Sequence, residues 1–189
     1  MASSFPPAEI RGIVSEVCAL LKDRSETVCV AETAAGGILS ASILSTPGAS
    51  KIYKGGLTLY TLESRVAFAG WTEEHVKAYQ GPTENVVRGL ADNVRSKLGA
   101  TYCICESGTA GPTGGNTRNR TPYVSYMLAR TMPKEDRKGY VALAMSSDAG
   151  TASKEVETGL GENREANMIA FAIESLKLLR DVIKEDKKL

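Results

Sequence analysis

Apolar residues return at helical spacing from Ala8 to Leu21, with Ile10, Ile13, Val14, Val17, Leu20 and Leu21 on one stripe. The pattern then shortens to a β-branched run, "TVCVAE" (27–32), which predicts a strand. Gly36 to Leu44 suits a short helix closed by "TPG". "GGLTLY" (55–60) reads as a strand and Glu63 to Ala69 as a helical turn or two. "TEEHVKAY" (72–79) reads as a helix with a threonine N-cap and acidic residues in its first turn. From Thr83 to Leu98, the residues Val86, Val87, Leu90, Ala91, Val94 and Leu98 share one helical face. "TYCICES" (101–107) is a strand running into "GTAGPTGG" (108–115); "GYVALAM" (139–145) is another, and the alternating "ASKEVETG" (152–159) fits an edge strand. A long helix runs from Glu162 to Ile183. Early alternation of helix and strand, followed by consecutive strands, predicts an α/β fold, a three-layer α/β/α sandwich around a mixed, mostly parallel sheet of about five strands.

Composition narrows the partners. A chain of 189 residues supports one domain with a full core, here 1–189. A net charge of +1 gives no reason to expect nucleic acid. No run approaches the roughly 18 apolar residues of a membrane span, and "MASSFPPAEI" has neither the basic nor the apolar region of a secretory signal. The four cysteines suit a reduced, cytoplasmic protein; Cys29, Cys103 and Cys105 fall in strand-like runs, where free cysteine acts as a small hydrophobe. With one histidine, His75, among charges at a helix start, neither a zinc site nor a hydroxyl–histidine–carboxylate triad is expected. No metal and no cofactor are implied.

Three segments carry chemistry where a strand meets a turn. The first is Glu32-Thr33-Ala34-Ala35-Gly36-Gly37, whose small residues let a backbone approach a ligand and whose helix offers N–H groups to an anion. The second is "LYTLESR", with Tyr60, Thr61, Glu63 and Arg65. The third is "ESGTAGPTGGNTRNR", where Ser107 and Thr109 flank glycines. In an open α/β sheet, loops at the carboxyl ends of strands gather into one crevice. Each segment also has a plainer reading. Gly36-Gly37 suits tight helix–sheet packing, Tyr60 a half-buried core position, Arg65 a solvated helix surface, and "GPTGG" an ordinary turn.

Taken together, "AETAAGG", "YTLESR", "SGTAGPTGG", "YVALAM" and "ENR", in that order, resemble the C-terminal domain of the competence/damage-inducible protein CinA. The family pattern is A-E-S-C-T-G-G, Y-S-N-E-A-K, T-G-I-A-G-P-x-G-G, V-x-x-A-x-A and G-D-R, and the likeness spans about Ala8 to Ile183. It implies hydrolysis of the carboxamide of nicotinamide mononucleotide (NMN), giving nicotinic acid mononucleotide and ammonia. It places Thr33 at the family's nucleophilic serine, Tyr60 at its tyrosine and Arg65 at its lysine. Substrate contacts fall on Gly36, Gly37, Ser107, Gly108, Gly111, Gly114, Gly115 and Arg164. The implied partner is a small pyridine ribonucleotide, with no nucleic acid and no membrane, in a homo-oligomer.

The departures fall on the reactive centre. Threonine brings a methyl group into the turn, arginine cannot serve as a base, and Ala34 and Ala35 replace two polar family residues. Tyr60 is then the general base that remains, and weak turnover is expected. The alternative is a catalytically impaired module of the same fold that binds a nucleotide or a partner. Between Pro122 and Gly139 lies "YVSYMLARTMPKEDRK" (123–138); without it the chain reads "NRTPGYVALAM", as the family does. The segment is expected to be an insertion outside the core, with a lid over the site as the competing reading.

Overall fold

The structure, a computed structural model, describes residues 5–114, 134 and 137–185. The stripe at the start of the chain becomes helix α1 (Ala8–Arg24), which stops where Ser25 turns left-handed and donates its N–H back to Leu21 and Lys22. Strand β1 (Val28–Glu32) is buried throughout and leads through a turn on Gly36 and Gly37 into α2 (Ile38–Leu44). After a short 3-10 turn come β2 (Tyr53–Thr58), α3 (Leu62–Phe68), α4 (Glu73–Ala78) and α5 (Glu84–Leu98). Then follow β3 (Tyr102–Thr109), β4 (Tyr140–Ser147), β5 (Gly150–Glu157) and a final helix, α6 (Arg164–Glu185).

The five strands lie in the order β2-β1-β3-β4-β5. β1 pairs in parallel with β2 and β3, whereas β4 runs antiparallel to both β3 and β5. Four strands therefore point one way and β4 alone is reversed. β5 is an edge strand, as its alternation implies. β2 begins and ends two residues earlier than the pattern "GGLTLY" indicates. Past Thr58 the chain gives one more bond to the sheet, Leu59 N–H to the Glu32 carbonyl at 2.6 Å. It then turns at Thr61, whose hydroxyl caps α3 by accepting from Ser64 N–H. Tyr60 thus stands on a turn, outside the strand that its side-chain type suggests.

Alternation along the strands divides the core into two unlike halves. Val28, Val30, Tyr102, Ile104, Val141, Leu143 and Met145 face α1, α2 and α6. Cys29, Ala31, Cys103, Cys105, Ala142 and Ala144 face α5. All four cysteines are free and buried. A row of such small side chains lets α5 lie close against the sheet. No helix among the described residues is long and apolar enough to cross a membrane.

β3 and β4 meet where the long connection leaves the sheet. Thr109 pairs with Tyr140, and Gly139 N–H donates to the Thr109 carbonyl at 2.8 Å. The chain from 110 to 139 therefore departs and returns at a single point. Apart from Lys134, Arg137 and Lys138, the expected insertion at 123–138 lies outside the described residues. Those three side chains form ion pairs with Glu155, Glu157 and Glu162 at the surface. Exposed pairs of this kind contribute little. Deletion of 123–138 should therefore keep cooperative melting, with Tm within about 5 °C of the parent by circular dichroism. Loss of the transition would make the segment part of the core.

Candidate functional site

The turn after β1 is held from below by two carboxylates. Glu32 and Glu106 stand at neighbouring positions, since Ala31 pairs with Cys105 in the parallel ladder. Both side chains are fully buried. Glu32 accepts from the N–H groups of Gly37 (3.0 Å), Leu39 (2.9 Å) and Ser40 (2.9 Å), and from the Ser40 hydroxyl (2.7 Å). Glu106 Oε1 accepts from Thr33 N–H at 2.6 Å and Ala35 N–H at 2.8 Å. The sequence expectation that the start of α2 offers open N–H groups to an anion is corrected here, because Glu32 already fills that role. Gly36 and Gly37 take positive φ angles of 67° and 104°, which a tight turn at this point requires.

Of the residues placed by resemblance, Thr33 and Ser107 are brought together. Both are buried, and Thr33 Oγ1 donates to Ser107 Oγ at 3.2 Å. Tyr60 and Arg164 form a second group. Arg164 Nη1 donates to the Gly111 carbonyl at 2.7 Å, and its Nη2 to Tyr60 Oη at 3.4 Å. Tyr60 is 62% exposed, so the half-buried core reading fails for it. Asn167 fastens the base of the same loop, donating to the carbonyls of Ala110 and Gly161. Gly111 is buried, Gly114 half-buried, and Gly115 lies outside the described residues. Gly108 has a packing reason to be glycine, since an added Cβ would stand 2.6 Å from the Tyr140 carbonyl oxygen and 2.9 Å from the Phe171 ring.

Arg65 departs most from the plain sequence reading, which makes it a solvated helix residue. It is 3% exposed, and its Nε donates to the Leu59 carbonyl at 3.2 Å. Its guanidinium carbon lies 5.0 Å from the ring centres of both Trp71 and Tyr79. The two rings touch each other, 5.5 Å between centres, and a planar, weakly hydrated cation suits a place against such a pair better than an ammonium does. His75 also has a local duty: its Nδ1 accepts from Thr72 N–H at 3.0 Å at the start of α4.

Glu106, Trp71, Tyr79 and Asn167 were missed by sequence reasoning, which named Glu32 in the first segment without giving it a role. A signal existed for the carboxylates, since "VCVAE" and "YCICE" both end an apolar run on glutamate. Burial pushes the Glu106 carboxyl up from 4.5 to about 7; bonds from Ala35 and Thr33 oppose this, Glu32 adds to it, and Arg65 lessens it. The folded chain therefore keeps a proton that the unfolded chain releases near pH 4.5. This contribution to stability is complete below that pH and is lost as pH rises through about 7, to the extent of roughly 3 kcal/mol. Glu106→Gln keeps an oxygen for the two N–H groups and removes the titration. Its urea midpoint should exceed the parent's above about pH 7 and should lack the parent's fall between about pH 5 and about pH 8. A parent with no such fall would mean that Glu106 is ionised throughout.

A family-wide sequence profile described as the CinA C-terminal domain matches residues 11–131. A CinA-like protein of Thermotoga maritima is 36% identical over 99 residues, which is 52% of this chain and 24% of that protein. A CinA-like protein of Prochlorococcus marinus strain MIT 9313 is 29% identical over 171 residues, 90% of this chain and 36% of that protein. The chain thus spans about a quarter to a third of the length of these curated relatives. Among solved structures, the competence/damage inducible protein CihA of Agrobacterium tumefaciens matches with a TM-score of 0.78 at 19% identity, over 96% of this chain and 99% of that one. A CinA superfamily protein of Klebsiella pneumoniae matches with a TM-score of 0.77 at 18% identity, over 93% and 98%. At these identities the structures speak for the fold alone. The sequence profile covers well over half of the 189 residues, and the chain belongs to the CinA C-terminal domain family.

Proposed function

We propose that this chain is a weak nicotinamide-nucleotide amidohydrolase that converts NMN and water into nicotinic acid mononucleotide and ammonia. The observation that carries the reading is the hydroxyl pair Thr33–Ser107, 3.2 Å apart at the ends of two parallel strands. The exposed Tyr60 and Arg164 stand at the glycine loop that follows the second of these strands. In this reading Thr33 Oγ1 attacks the carboxamide carbon while its proton leaves. The C–N bond breaks, ammonia departs with a proton, and water cleaves the resulting ester to free the carboxylate and restore Thr33. Arg65 supplies fixed positive charge and Tyr60 accepts the proton. Arg164 meets the phosphate, because the N–H groups at the start of α2 are taken by Glu32.

A second reading, binding without turnover, is favoured by one observation. Arg65 occupies the lysine position of the family and packs against Trp71 and Tyr79, so a cation is present where a base would be needed. A positioned base is worth about 10²–10⁴-fold in rate.

Three variants test the proposal. Thr33→Ala should abolish ammonia release from NMN. Thr33→Ser combined with Arg65→Lys should raise it by about tenfold or more, at some cost in stability from the lost stacking. Arg164→Ala should weaken NMN binding by about tenfold in a thermal-shift titration. A Thr33→Ala protein as fast as the parent would remove the nucleophile from the scheme. A shift in Tm with NMN but no ammonia from parent or double variant would leave the binding module.

A further inference from the structure

A cavity of about 500 Å³ lies outside the Thr33 group, between the α3–α4 turn, the α4–α5 turn and the exposed side of α5. Trp71, His75 and Tyr79 form an aromatic wall, with the Trp71 and His75 ring centres 5.9 Å apart and those of Trp71 and Tyr79 5.5 Å apart. Gln80, Asn85 and Asn93 add amide groups. Among the described residues that line it there is no Asp, Glu, Lys or Arg.

Two further observations point to an occupant. Among the described residues Asn93 Oδ1 is buried without a hydrogen-bond partner, and a buried orphan of this kind calls for an explanation in a native fold. Gly70, with φ +73°, packs directly on the Asn93 amide; a Cβ there would come 2.5 Å from Asn93 Nδ2. In addition, Gly89 lines the cavity from within α5, although glycine costs helix stability and an added Cβ would meet nothing within 4 Å. The space forgone at Gly89 belongs to the cavity.

We propose that this cavity is a binding site for an uncharged nucleoside. Its volume falls in the range of small-molecule sites, about 300–1,000 Å³. The aromatic wall suits a planar base, and a turn of the Asn93 amide brings its unpartnered oxygen to an N–H donor on that base. The amides of Gln80 and Asn85 suit sugar hydroxyls. With no cation in the lining, a phosphate has no partner. The Arg65 guanidinium behind Trp71 and Tyr79, 5.0 Å from each ring centre, opposes a positively charged base. The proposal is independent of any reaction at Thr33.

Trp71 is the only tryptophan and lines this cavity, so its fluorescence reports on binding here; Gly89→Leu, away from Arg65, separates that signal from one arising at Arg65. Adenosine or uridine titrated into the full chain should change Trp71 emission saturably and raise Tm. Nicotinamide riboside, of similar size but bearing a pyridinium cation, should bind at least about tenfold more weakly. Gly89→Leu introduces a strong helix former where there is room; it should hold the parent's Tm without ligand and weaken nucleoside binding by about tenfold or more. If that variant melts early, Asn93→Leu supplies the same comparison, with an equal loss expected. The proposal falls if neither nucleoside gives a saturable response, if the cationic nucleoside binds as well, or if the folded variant used binds as the parent does.

Discussion

Five backbone N–H groups in the turn after β1 and the first turn of α2 end on two buried carboxylates. In "TAAGG" only the threonine has a side chain able to form a hydrogen bond, so the turn cannot satisfy itself. Each buried N–H left without an acceptor would cost about 1–3 kcal/mol. Glu32 and Glu106 supply the acceptors, and their positions follow from adjacent strands ending in register. The turn that presents Thr33 thus exists because two glutamates sit under it. The same arrangement limits the ligand. A phosphate placed at the start of α2 would have to displace a carboxylate and face its charge, which turns attention to Arg164 and the glycine loop.

The other determining feature is the small-residue face of the sheet. Cysteine and alanine at Cys29, Ala31, Cys103, Cys105, Ala142 and Ala144 leave room for α5 to settle close. Because α3 and α4 reach α5 through short turns, its position fixes where Trp71 and Tyr79 stand. Those rings in turn hold Arg65. A choice of small side chains in three strands is therefore felt at a guanidinium on another element.

Much of this was legible in the chain because it depends on local periodicity. The stripe Val86–Leu98, the run "TVCVAE" and the alternation in "ASKEVETG" each state an element and the face it buries. The end of β2 was harder to see, since the bond from Leu59 to Glu32 and the cap at Thr61 decide it and neither changes the hydrophobic pattern. Arg65 was unreadable for a similar reason. An arginine on a short helix is usually solvated, and its burial depends on two aromatics from segments six and fourteen residues away. The contact of Tyr60 with Arg164 likewise joins residues more than a hundred positions apart along the chain. The candidate site was legible as a set of residue types and obscure as a set of contacts.

The packing of Arg65 against Trp71 and Tyr79 bears directly on the chemistry. A lysine at that position could rotate and exchange a proton with a neighbouring hydroxyl. A buried guanidinium packed against two rings does neither; it remains a fixed charge. Such a charge favours an oxyanion forming at an attacked carboxamide, and it also favours the ionised form of Glu106. The substitution therefore separates two tasks that one lysine can combine, charge stabilisation and proton transfer. This chain, on the proposed reading, retains the first and leaves the second to Tyr60. On the proposed reading, the proton acceptor limits the rate, and improving Arg65 as a cation would gain nothing.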